Sequence, residues 1–282
     1  MSRMKGKKDG SVLMTEGVIW KQLVIFSIPL LIGNLFQQLY NTVDSIVVGQ
    51  FIGSEALAAV GSSTPLINLI IGMFMGIAVG SGVIISQYYG AKSEDKMGWA
   101  VHTSIALSII GGILLSVVGI VFSPSILRLM KTPPEVLDTS VLYFRIYFLG
   151  SLFNLLYNMG AGILQAVGDS RRPLIFLCIS SVTNIVLDLL FVAGFHMGVD
   201  GVAWATIISQ FVSAVLVMSA LMRTKDIYRL ELRKIKIDKR MMNSPPRDPK
   251  RHPAVHYLPL ECGGAGQCQY FRLHRDGRIR GV

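Results

Sequence analysis

Asp44 and Asp188 each stand inside a long run of apolar residues. A carboxylate at the centre of such a layer costs about 2.5–3.5 kcal/mol even on the lenient insertion scale, so it must face a polar cavity or a partner helix. Asn34, Gln37, Gln38, Asn41 and Ser45 surround Asp44 in the same run. Gln37, Asn41 and Asp44 fall at i, i+4 and i+7, which puts them on one helical face. Asn184 and Asp188 repeat the four-residue spacing, and so do Thr206 and Gln210. Asn154 and Asn158 form another such pair; for these two and Gln210, polar packing between helices is as good a reading as a functional one. Two carboxylates in one low-dielectric cavity cannot both stay ionised cheaply, so the pair can hold a proton or share a small cation. Carboxylate, amide and hydroxyl oxygens are the hard ligands that a hard cation prefers. Binding such an ion changes the cavity's charge and biases one conformation over another.

The elements that must position these residues follow from the apolar runs. The 282-residue chain is 51% hydrophobic and only 16% charged, with a mean hydropathy of +0.52. About 25% charged residues is usual in a soluble domain. A helix needs about 20 apolar residues to cross the hydrocarbon layer, and six segments qualify: 23–49, 57–87, 99–122, 140–165, 174–195 and 200–222. In lipid each backbone polar group must be bonded within its segment, so the fold class is an all-α, six-helix membrane bundle. Pro29 and Pro65 predict bends. Gly72, Gly76 and Gly80 form a small-residue stripe that predicts close helix packing.

Positive charge sets the orientation. Arg3, Lys5, Lys7, Lys8 and Lys21 precede the first span, Lys92 and Lys96 follow the second, and Arg171 and Arg172 precede the fifth. A run from Arg223 to Arg240 follows the sixth, whereas the alternate loops hold only Arg128 and Lys131. Both ends of the bundle are therefore expected in the cytoplasm of a multi-pass cell-membrane protein, with 1–22 an N-terminal segment and 223–242 a basic linker. That linker reads either as a tether along the membrane surface or as a solvated segment. The net charge of +10 flanks apolar spans, so it marks loops rather than a nucleic-acid partner. Cys178 lies within a span, and Cys262 and Cys268 lie near the C-terminus; the spacing fits neither a disulfide framework nor a zinc site. No catalytic residue and no cofactor is expected.

The stretches PLLIGNLFQQLYNTVDSIVVGQFIG, EALAAVGSSTPLINLIIGMFMG, GSGVIISQYYGAK, YNMGAGILQAVGDSRRP and NIVLDLLFVAGFHMGVDGVAWAT resemble the multidrug and toxic compound extrusion (MATE) family of transporters. They run in family order over residues 15–240. The resemblance implies the first six-helix lobe of a twelve-helix exporter, driven by protons or sodium and moving bulky, often cationic organic molecules out of the cell. It further implies a cation site at Asp44, Asn184, Asp188 and Thr206. The other membrane polar residues, Asn34, Gln37, Gln38, Asn41, Asn154, Asn158 and Gln210, would then line the cavity. The partners implied are the bilayer, small organic substrates, and either the missing second lobe or a second copy.

The family pattern stops near Met242. Residues 243–282 are rich in Pro, Arg and His and contain nothing able to span a bilayer, so they are expected to be disordered. Codons read one base later permit ILRLGIPSGIQ, SNVVVQA and GSTAMAGYGA. The last echoes GSEALAAVG at 53–61, so a frameshift at this point is expected. Two other functions are weaker. An intramembrane aspartyl protease would carry Gly-x-Gly-Asp, but Asp44 follows Asn-Thr-Val and Asp188 follows Ile-Val-Leu. A flippase of lipid-linked oligosaccharides, the runner-up, would need several cavity cations for pyrophosphate; only Arg145, near a helix start, could serve.

Overall fold

A computed structural model describes residues 19–130 and 132–232, together with two short strands near the C-terminus. The described helices are α1 (Ile19–Val47), α2 (Ser54–Gly90), α3 (Glu94–Leu129), α4 (Pro134–Leu149), α5 (Ser151–Ala166), α6 (Arg171–Asp188) and α7 (Val199–Arg223). They supply the six expected spans. Part of α2 (Ile67–Gly90), α3, α6 with its extension and α7 are each long and apolar enough to cross a membrane, and α4 with α5 qualifies as one bent span. At 29 residues α1 is long enough to be the sixth.

The fourth span is broken where the sequence suggests continuity. Its halves meet at Gly150 and bend by 46°. A Cβ at Gly150 would lie 2.8 Å from Ile207 Cγ1 and 3.2 Å from Gln210 Oε1, so the bend sits hard against α7. The span also starts earlier than expected. Pro134 opens α4, where its missing N–H costs nothing, and Arg145 therefore lies well inside the helix instead of near its start.

Helix α3 packs against α4 and α5, α6 packs between α1 and α7, and α2 packs on α3, α4 and α5. Two apolar clusters fill the bundle. Val47, Val48, Phe144, Phe148 and Val202 occupy one end; Met97, Val101, Leu164, Leu221 and Leu230 occupy the other. Large apolar side chains such as Leu35, Leu69, Val121, Val182 and Val186 point outward, as they can where the surrounding medium is hydrocarbon.

Close packing occurs on α3 and not on the predicted stripe. A Cβ on Gly119 would fall 2.2 Å from the Phe148 ring, and one on Gly112 would fall 2.6 Å from Leu152 Cα. Added at Gly72, Gly76 or Gly80 it would meet nothing within 4 Å. The stripe therefore does no packing among the described residues; α2 buries Ala78, Ser81 and Ile85 instead. Helices α1 and α2 run on through Pro29 and Pro65.

After α7 the chain folds back onto the bundle. Leu230 N donates to Leu221 O at 3.0 Å, and Tyr228 meets Tyr89 edge-on at 6.3 Å. Tyr228 and Leu230 are buried, and burial raises the Tyr228 phenol pKa. Glu231 N donates to His102 Nε2 at 3.0 Å, while His102 Nδ1 bonds Gly98 O. Residues 224–232 are thus docked on the helices. Farther on, strands β1 (His256–Pro259) and β2 (Tyr270–Leu273) pair antiparallel, with His256 opposite Leu273. The N-terminal residues 1–18, the rest of the basic linker and the remaining tail lie outside the described residues.

Candidate functional site

Both acid-bearing helices end in the same way. Helix α1 passes into a π-helical turn at Val48–Ile52 just after Asp44, and α6 into another at Leu189–Gly194 just after Asp188. π-helical turns are rare and often accompany functional sites. The two turns touch, and α1 lies along α6. This brings Asp44 and Asp188 close enough to interact, although 144 positions separate them in the sequence.

Burial makes the pair chemically demanding. Asp188 is fully buried, Asn184 is 1% exposed, and Asp44 is half-buried. Asp188 Oδ1 and Oδ2, Asn184 Nδ2 and Oδ1, and Asp44 Oδ1 all lack a hydrogen-bond donor or acceptor partner that accounts for them among the described residues. Ionised carboxylates are acceptors only, so two facing carboxyls can bond directly only if one carries a proton. Buried polar atoms are nearly always paired, and a cluster left open is a place for an ion, a proton or water.

The register of α6 on α7 places the remaining members. Ser180 Oγ donates to Ser209 O at 2.7 Å, which pins the antiparallel pair. One turn onward in α6 stands Asn184, and about one turn back in α7 stands Thr206, at the same level. Thr206 is buried and its hydroxyl donates to Val202 O at 3.0 Å. That bond leaves the hydroxyl's lone pairs available as a ligand.

Gln37, Asn154, Asn158, Asn184 and Gln210 converge with Ser180, Ser181, Ser209 and Ser213 on one polar cavity of about 30 Å³. A single water needs roughly 10–15 Å³ on this measure, so the space suits one or two waters or a small ion. Asn158 Nδ2 donates to Asn154 O and Oδ1 at 2.9 and 2.8 Å, so this pair is partly satisfied within its own helix. Asn34, Gln38 and Asn41 do not line the cavity. They are exposed, with Asn41 Nδ2 donating to Gln38 Oε1 at 3.4 Å. Helix α1 therefore has two polar faces, one turned to the cavity and one turned out of the lobe.

Sequence reasoning missed the tyrosines. Tyr40 lines the cavity, Tyr143 lies close to Asp44, Asp188 and Tyr40, and Tyr147 stands beside Gln210 and Asp44. Tyr40 lies four residues before Asp44, and that spacing was a readable signal. Tyr143 and Tyr147 gave none, because they come from α4.

A six-span helical lobe with a buried acid pair and a polar cavity among its helices belongs to the membrane transporters. The chain is a member of the MatE family, whose family model matches residues 29–190. It is 35% identical over 231 residues to the probable multidrug resistance protein YoeA of Bacillus subtilis, a match covering 79% of this chain and 50% of that protein. It is 26% identical over 225 residues to the multidrug export protein MepA of Staphylococcus aureus, covering 80% and 50%. Among solved structures, a MATE crystal structure in the bent conformation matches with a TM-score of 0.73 and 31% identity over 79% of this chain and 50% of that one. A MOP superfamily transporter from Pyrococcus furiosus, whose binding pocket is described as of reversed polarity, matches with a TM-score of 0.76 and 30% identity over 84% and 52%. The chain spans about half the length of these relatives.

Proposed function

We propose that this chain forms one lobe of a cation-coupled antiporter that exports bulky organic, often cationic, molecules. Asp44, Asn184, Asp188 and Thr206 hold the coupling ion, a proton or sodium. The observation that carries the reading is the set of buried, unpartnered oxygens on Asp188, Asn184 and Asp44. Such a set is costly when empty and is relieved by a proton or a small hard cation. With the ion bound the pair loses net negative charge, which favours the arrangement in which α1 and α6 stay together. When the ion leaves, the two carboxylates repel, and the half-exposed α1 is the element free to move. The lobe is a carrier and not an enzyme. It sits in the cytoplasmic membrane with both ends of the bundle in the cytoplasm.

The test is thermal unfolding of the purified full chain in detergent, across a sodium titration and a pH series. Stabilisation by sodium or by acid that disappears in Asp188→Asn supports the site. An unchanged response in Asp188→Asn would sink it. Export itself is tested by joining the lobe to a second half and measuring drug efflux. Retained cation-dependent efflux in Asp188→Asn would be equally fatal.

A further inference from the structure

We propose that Arg145 is a binding site for the phosphate of a membrane lipid, in the leaflet at the α3–α4 turn. The site begins with a proline. Pro124 stands inside α3 and lacks an N–H, so the carbonyl four residues earlier, on Ile120, loses its helical partner. Arg145 on the neighbouring helix fills the gap: its Nε donates to Ile120 O at 3.3 Å and to Ser123 Oγ at 3.1 Å. Ser123 Oγ in turn donates to Ile120 O at 3.1 Å.

That arrangement fixes the guanidinium but leaves it unfinished. Both terminal nitrogens make no hydrogen bond, and no carboxylate pairs with the charge, among the described residues. The residue is exposed. Its surroundings are apolar, because Val117, Val121 and Phe122 of α3 and Leu142 and Leu149 of α4 are exposed on the flanking surface. A cation held on a surface of this kind meets lipid rather than bulk water.

Depth decides which part of the lipid it meets. Helix α3 has 36 residues and is about 54 Å long, whereas the hydrocarbon layer is about 30 Å thick. Each end of α3 therefore extends about 12 Å beyond the hydrocarbon. Ser123 and Ile120 lie six and nine residues from the last residue of α3, Leu129, or about 9–13 Å along the axis. The guanidinium thus stands at the boundary between acyl chains and headgroups. Helical side chains lean toward their own N-terminus, which turns Arg145 toward the α3–α4 end, where the headgroups are. An arginine fork with two free nitrogens matches the geometry of a phosphodiester.

Native mass spectrometry of the full chain in detergent tests this, with phosphatidylglycerol as the probe and diacylglycerol as the phosphate-free control. Wild-type protein is expected to retain phosphatidylglycerol over diacylglycerol. Arg145→Gln keeps an N–H for the Ile120 carbonyl but removes the charge. Its retention is expected to fall on the order of tenfold, the size of one lost charge-assisted contact. Arg145→Lys keeps the charge and loses the fork, so it should lie between the two; it decides the matter if the glutamine variant does not fold. Equal retention by the variants and wild type would overturn the proposal. So would displacement of the lipid by excess inorganic phosphate, which would mark a plain anion site.

Discussion

The α6–α7 wall and the outer face of α1 carry the same kinds of side chain in opposite surroundings. On the wall, Asn184, Asp188, Thr206, Ser209 and Gln210 are all buried. On α1, Asn34, Gln38 and Asn41 are exposed, and only Asp44 is partly enclosed. Amides on a membrane helix need a partner in both cases: Asn41 and Gln38 bond each other on the exposed face of α1, whereas the wall encloses Asn184 with both its polar atoms unpartnered among the described residues. The site is therefore fixed on one side and open on the other. A rigid wall sets the ligand geometry, and a looser helix is free to respond to it.

Asp188 and Asp44 give the sharpest contrast. Asp188→Asn should remove the sodium or acid response of the full chain completely. In Asp188→Leu the same loss should come with a higher melting temperature without ligand, because an unpartnered buried acid has been replaced by an apolar side chain. A melting temperature that falls would show that the acid pair holds the lobe together.

Packing comes next. Gly119→Ala should lower stability by about 1–3 kcal/mol, since its methyl meets the Phe148 ring and the core is already full. Gly76→Ala, on the open stripe of α2, should change stability by less than about 0.5 kcal/mol. Thermal unfolding of the two variants side by side checks both, and equal effects would contradict the placement of α2.

Asp44→Asn should abolish the pH or sodium dependence of residual binding while changing the melting temperature less than Asp188→Asn does. Its side chain is half-buried, so less of its environment depends on it. The smallest effect is expected for Gln38→Leu, within about 0.5 kcal/mol, because the side chain faces out of the lobe. A large loss of stability there would show that something covers this face of α1. Reporter fusions after Met242 and near Asp200 should read cytoplasmic and external; the reverse pattern would break the proposed orientation while leaving the cation site untouched.

Much of this was legible in the residues. Six apolar runs became six spans because length and hydropathy are local properties, and the lipid solvent leaves the backbone few alternatives. Asp44 and Asp188 stood out for the same reason: a carboxylate in hydrocarbon is expensive wherever it occurs in the chain. The spacing of Gln37 with Asp44 and of Asn184 with Asp188 assigned each pair to a helical face, since a 3.6-residue repeat needs no tertiary information.

What the sequence could not settle is which faces meet. That Gln37 turns to the cavity while Gln38 turns away, that Tyr143 and Tyr147 of α4 come within electrostatic range of the acids, and that the α2 glycines stay open were decided by helix packing. The same holds for Gly150, whose bend depends on how closely α7 approaches, and for Arg145, whose partner is a carbonyl freed by a proline on another helix. Hydropathy and periodicity act along one helix at a time. The sites in this lobe arise between helices, where the deciding quantities are a crossing distance and the pairing of buried polar atoms.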